Sequence, residues 1–163
     1  MQESFDWVKK KVSETAKPVF YQAFGEKWSI AENMDHLIRS CRPVASALKM
    51  PKAALQAFGS PDQATRSYET IVAIYQAKLK EGTAVASGPF VPENSLDYPQ
   101  ADMLRDWQLI AGKFAERTDQ WEEEDLDQYV IPHPVLGKLT VREMLFFTIN
   151  HNYHHLRAMN RIA

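Results

Sequence analysis

A single cysteine, Cys41, stands among 163 residues, so no internal disulfide can form and the fold must rest on its core. Cys41 falls on an apolar helix face, which reads as a buried, inert thiol rather than a reactive one. No apolar run approaches the roughly 20 residues that a bilayer-spanning helix needs. The amino-terminal MQESFDWVKKKVSETAK lacks the apolar stretch of a secretory signal. A cytoplasmic protein without a membrane partner is the expectation. Net charge is only −2, so nucleic acid is not an expected partner either. Strand signals are scarce: there is no run of alternating β-branched residues and no Asn-Gly turn. The expectation is a chain without strands.

What is present is helical periodicity. The 163 residues, 45% of them hydrophobic, suit one domain spanning 1–163 with a sizeable core. Residues 2–16 form a first amphipathic segment with Phe5, Val8 and Val12 on one side, ended by Lys17-Pro18. In WSIAE, Ser29 is an N-cap and Glu32 sits at N3, a capping box. Ile30, Met34, Leu37, Ile38, Cys41, Ala45 and Leu48 then follow one face, up to Met50-Pro51. A third helix is expected over 64–80 with Tyr68, Ile71, Val72, Tyr75 and Leu79 inward, and a fourth over 100–122 with Leu104, Trp107, Ile110, Phe114 and Trp121 as its stripe. Between them, residues 82–99 read as a long irregular loop, of the kind that serves as a lid or binding loop. Residues 124–139 read as a second connection, holding His133, Pro134 and Gly137. The last helix starts at Thr140 with Glu143 at N3, a second capping box, and Leu139 and Met144 take the positions of a hydrophobic staple. The reading is all-α: a four-helix bundle with an additional short helix and long connecting loops.

Three of the five histidines lie in HNYHH, residues 151–155. Residues four apart share a helix face, so His151 and His155 point the same way, toward the core, while His154 is turned about 100° from His155. Two imidazoles at this spacing can bind one metal ion, as in the H-E-x-x-H metalloproteases. They can equally be two histidines hydrogen-bonded to neighbours near a bundle end. His36 is the candidate third ligand. It lies on a face of small and polar residues (Ser29, Asn33, Ser40, Ala47) that suits a helix bordering a pocket, or one that is simply solvated. His36 is the seventh residue after its N-cap, and His155 is seven residues before Ile162. If the two helices pack antiparallel, both lie at one level and His151 is about 6 Å away along the axis.

WSIAENMDHLI (28–38), HPVLGKLTVREML (133–145) and HNYHHLRAM (151–159) together resemble the DinB-like, or YfiT-type, proteins. The resemblance runs from about residue 20 to the end. It implies a four-helix bundle in which His36, His151 and His155 hold a divalent metal. It also implies a homodimer, and an activity drawn from a family that includes transferases of low-molecular-weight thiols and members with no established activity. Three neutral imidazoles around Zn²⁺ or Ni²⁺ would leave an open position, where either water or a small thiol becomes more acidic. The outcomes are hydrolysis and thiol transfer. A non-enzymatic metal- or ligand-binding bundle, with His133 or His154 as a fourth ligand, is the alternative. Glu32 is bound to its cap. Asn33, Tyr153 and Arg157 are candidate substrate-binding residues. Arg39, like Arg157, is a candidate for attracting an anionic substrate or thiol carboxylate, and Phe90, Trp107 and Tyr98 are candidates for the pocket mouth, although core packing explains Trp107 better. No catalytic residue is assigned.

Overall fold

The computed structural model describes every residue except Phe24, Asn94 and Ala163. Asn94 belongs to the expected loop 82–99 and so lies outside the described residues. Eight α-helices occur among the described residues: α1 (Gln2–Glu14), α2 (Lys17–Phe20), α3 (Ile30–Ala47), α4 (Lys52–Leu55), α5 (Tyr68–Lys80), α6 (Gln100–Thr118), α7 (Asp125–Gln128) and α8 (Val141–Asn160). Helix α1 packs on α6 and α8, and α3 packs on the same two, so these four close a ring around the core. Helix α5 lies against α8. The fold is the mainly helical bundle that the periodicity predicts.

The ring is held by the stripes read from the sequence. Phe5, Val8 and Val12 of α1 are fully buried, as are Met34 and Leu37 of α3 and Trp107 and Phe114 of α6. The Phe5 ring lies 4.6 Å from Trp107 and 5.2 Å from Phe114, centroid to centroid. Trp107 is thus a core residue. Its indole N–H, which would be costly to bury unpaired, donates to the Phe5 carbonyl at 3.0 Å. Cys41 is buried too, and desolvation pushes its thiol far up, so it stays protonated.

Both capping boxes form. Ser29 Oγ accepts from the Glu32 amide and Glu32 returns to the Ser29 amide; Thr140 and Glu143 do the same for α8. Glu143 has a second role. Its carboxylate takes both Arg66 Nε (2.8 Å) and Nη2 (3.0 Å), and the Arg66 amide (2.8 Å). Burial alone would raise its pKa, but the Arg66 hydrogen bonds outweigh that and hold it below the usual range. The pair ties the approach to α5 onto the start of α8.

The structure differs from expectation at four points. Lys17-Pro18 does end α1, but Pro18 also opens the short α2, because proline is tolerated in a helix's first turn. Helix α5 starts four residues late, at Tyr68, with Ser67 as its cap. Helix α6 stops at Thr118, leaving Trp121 beyond it; the Trp121 indole still docks, donating to the Leu48 carbonyl at 3.1 Å.

The fourth difference is a correction. The chain is not without strands: β1 (Val130–His133) and β2 (Gly137–Thr140) pair antiparallel, Val130 opposite Thr140 and His133 opposite Gly137. Together with α7 they occupy most of the expected connection 124–139. Each strand is four residues long, too short to show an alternating pattern, and Pro132 breaks the first. The turn closes at Gly137, whose φ of 74° is in the left-handed region that favours glycine.

Candidate metal centre

The polar face of α3 and the His151/His155 face of α8 meet inside the bundle. Asn33 contacts His155 and His36 contacts His151, the pairing order of an antiparallel helix pair. All three histidines are buried, at 5–6% exposure. His36 Nε2 lies 3.2 Å from His151 Nε2, and His155 Nε2 lies 3.1 Å from it.

Neighbours determine which nitrogen carries the proton. His36 Nδ1 is 2.7 Å from the Phe90 carbonyl, which can only accept, so Nδ1 donates. His155 Nδ1 is 2.8 Å from Asn33 Oδ1. The Asn33 amide group cannot be turned round, because its Nδ2 donates to the Ser29 carbonyl (2.8 Å) and the Trp28 carbonyl (3.2 Å). His155 Nδ1 is therefore also a donor. In a neutral ring the other nitrogen, Nε2, is then a bare lone pair. Burial keeps the rings neutral. It lowers the pKa of all three, most strongly for His151 and His155, and their mutual repulsion adds to the effect for those two.

Two lone pairs are thus aimed at a common point beside His151 Nε2. A single proton on His151 could not bridge both, and the Ser40 hydroxyl, 3.4 Å from His36 Nε2, reaches only that one. A cation would satisfy all three: with metal–nitrogen bonds of about 2.0–2.1 Å and tetrahedral angles, neighbouring nitrogens sit about 3.3 Å apart. The donor set fits a borderline divalent ion such as zinc. Among the described residues this is the one cluster of His, Cys, Asp or Glu whose ligand atoms could hold a metal.

The surroundings hold the rings in place. Trp28 stacks on His155, 6.0 Å between centroids at 15°, and also packs on His36 at 5.0 Å. Phe147 stacks on His151, 5.1 Å at 22°. The Phe90 carbonyl is positioned by the loop that carries it. Asp35, buried one position before His36, takes both oxygens onto Arg39 Nε at 3.0 Å and accepts the Glu93 amide at 3.0 Å. Arg39 in turn reaches the Pro89 and Glu93 carbonyls at 3.4 Å. The segment around 88–93 is therefore latched to α3, and Arg39 serves that latch.

The histidines line a cavity of about 700 Å³. Asn33, Ser40 and Phe90 also line it, as do His133 and His154, neither of which joins the metal cluster. His154 is half-buried at the rim, its ring edge-on to Tyr75 at 5.9 Å. Tyr153 and Arg157 do not line the cavity; they leave α8 on faces away from His151 and His155, and Arg157 is exposed. Tyr98 is also outside it, hydrogen-bonded to Asp106.

Nothing in the sequence points to Phe147, or to Trp28 as a support for the rings; Arg39, a candidate there for an anionic group, instead pairs with Asp35. That pairing was legible as an oppositely charged i,i+4 pair. The Phe90 carbonyl, being backbone, left no signal.

Among curated proteins and among solved structures no match to the chain was found. The family model described as the DinB superfamily matches residues 15–159, a span that takes in both capping boxes and all three clustered histidines. The chain belongs to the DinB superfamily.

Proposed function

We propose that the protein is a metal-dependent enzyme acting on small molecules, with Zn²⁺ or Ni²⁺ held by His36, His151 and His155, and that it transfers a low-molecular-weight thiol. The carrying observation is the convergence of Nε2 atoms, 3.1 and 3.2 Å from His151, at the wall of a 700 Å³ cavity. When bound there, a divalent ion supplies Lewis acidity, lowering the pKa of a thiol or of water at a position the protein leaves open. The chain's own residues do the rest. Phe90 and Asn33 orient two ligands, and Trp28 and Phe147 pack against the rings. Because neither His133 nor His154 belongs to the cluster, the open site is better supported than a closed structural one.

Thiol transfer is favoured over hydrolysis by the lining. A bound ion brings water only to about neutral pKa, so its attack still gains from a general base, whereas a coordinated thiol is deprotonated outright. The only lining carboxylate among the described residues is Glu26, which is exposed. A thiol that has already lost its proton needs no base. Hydrolysis is the second reading, supported by His154 at the rim, whose side chain is the one available to take a proton from water. Assembly as a homodimer belongs to the same proposal through the family resemblance, and light scattering checks it.

The test is elemental analysis of protein purified without a histidine tag, beside His36→Ala, His151→Ala and His155→Ala. About one metal per chain is expected in the parent and little in each variant that remains helical by circular dichroism. Undiminished metal in the variants sinks the site. Loaded protein should then consume a small thiol in the presence of an electrophile; ester cleavage without thiol consumption would select the hydrolase reading.

A further inference from the structure

His133 is one of two cavity-lining histidines, with His154, that the proposed metal site does not use. It ends β1, opposite Gly137. Its Nδ1 is 3.1 Å from the amide nitrogens of both Val135 and Leu136. Two backbone N–H groups donating to one nitrogen require a lone pair there, so the proton of this ring is on Nε2. Among the described residues, Nε2 has no hydrogen-bond partner, yet it is not sealed from contact, and the ring lines the cavity. The ring packs on Phe147 at 4.3 Å, and the same Phe147 stacks on His151. His133 and the three-histidine cluster thus flank one aromatic ring.

The rest of the lining narrows what this donor can meet. Val44, Leu79, Ile131, Val135 and Met144 supply apolar wall. The charged lining residues, Glu26, Lys27 and Arg161, are all exposed and belong to the rim. An anionic group drawn up to His133 would give up strong hydration for one neutral N–H, whereas an uncharged oxygen gives up little. Burial pushes His133 down to about 4, so the ring keeps this single-donor form at neutral pH.

We infer that His133 is a substrate-binding residue whose Nε2–H receives an uncharged oxygen acceptor, such as a ketone, ester or amide carbonyl, on an apolar substrate that lies over Phe147 with its reacting end at His36, His151 and His155. The inference rests on the proposed use of this cavity as a substrate site, but not on a metal being bound.

The experiment uses the full chain with ¹⁵N-labelled histidine, metal-free and zinc-loaded. The probes are 4-phenyl-2-butanone and the hydrocarbon of similar shape, 3-methylbutylbenzene. Long-range ¹⁵N–¹H spectra should show His133 as the Nε2–H form, with Nε2 shifting on addition of the ketone and not of the hydrocarbon. The ratio of ketone to hydrocarbon affinity should be about 3- to 10-fold higher in the parent than in His133→Phe, the range one hydrogen bond supplies. His133→Gln, which returns an N–H to a similar place, should recover part of that ratio. Three results overturn the inference: an Nδ1–H form, an affinity ratio unchanged by His133→Phe, or no saturable binding of either probe. If His133→Phe does not fold, the parent spectra and His133→Gln decide. Loss of the metal reading would look different: no zinc taken up, with the ketone response intact.

Discussion

The side-chain amide of Asn33 decides how His155 faces, because its oxygen receives the His155 Nδ1 proton while its nitrogen is tied to the Trp28 and Ser29 carbonyls. Asn33→Ala removes that acceptor and frees the ring. Such outer contacts to a ligating imidazole are worth about 10- to 100-fold in metal affinity. A loss in that range is expected for Zn²⁺, measured by competition with a chelator; an unchanged affinity would mean the bond does not orient the ligand. His133 gives a prediction for pH. In the unfolded chain a histidine titrates near 6.5, and in the folded protein burial holds His133 to about 4. Between those values the unfolded state holds a proton that the native state lacks. Stability is therefore complete above about pH 6.5 and is lost as pH falls toward 4. Burial acts in the same direction on His36, His151 and His155. The urea midpoint of metal-free protein should fall between pH 7.5 and pH 5, and His133→Gln should flatten part of the fall.

Helix α3 and the segment around 88–93 behave as one element. Asp35 and Arg39 point to the loop while His36, between them in sequence, points to the cluster, and the loop returns the Phe90 carbonyl to His36. The order of the loop and the orientation of His36, the proposed ligand, are thus coupled through α3. Asp35→Asn keeps the size of the side chain but removes the charge that holds Arg39. The amides of Phe90 and Val91 should then exchange with deuterium faster, and Zn²⁺ affinity should drop with them. Faster exchange at unchanged affinity would show that the latch and the site are independent. The caps of α3 and α8 were legible because each is made within four residues. The β1–β2 hairpin was not, because its strands are stabilised by each other and by the helices beneath rather than by their own composition.

At the scale of the whole molecule, the three histidines join α3 to α8, neighbours in the closed ring of α1, α6, α3 and α8. An ion bound at that junction binds the native state and has no preformed site in the unfolded one. At free metal 100 times Kd the linkage adds about 2.7 kcal/mol of stability. For a chain of this size that is a rise in Tm of roughly 5–10 °C. Thermal unfolding with and without Zn²⁺ should show the rise in the parent, its reversal by chelator, and no rise in a variant with all three histidines replaced by alanine.

The sequence by itself determined the helices and their faces. The stripe Phe5, Val8, Val12, the run from Ile30 to Leu48, and the two capping boxes are local patterns whose physics is complete within a few turns, and they were enough to place His151 and His155 on one face. Bringing His36 to them needed one further assumption, antiparallel packing of α3 on α8. What only the tertiary structure decided is how the site is completed. The carbonyl of Phe90 lies 54 positions from His36, and the amide of Asn33 lies 122 from His155. The hairpin that fixes the His133 proton exists because its strands pair. Tyr153 and Arg157 looked eligible by type but leave α8 on other faces. Contacts so distant in sequence follow from chain packing, which no local pattern encodes.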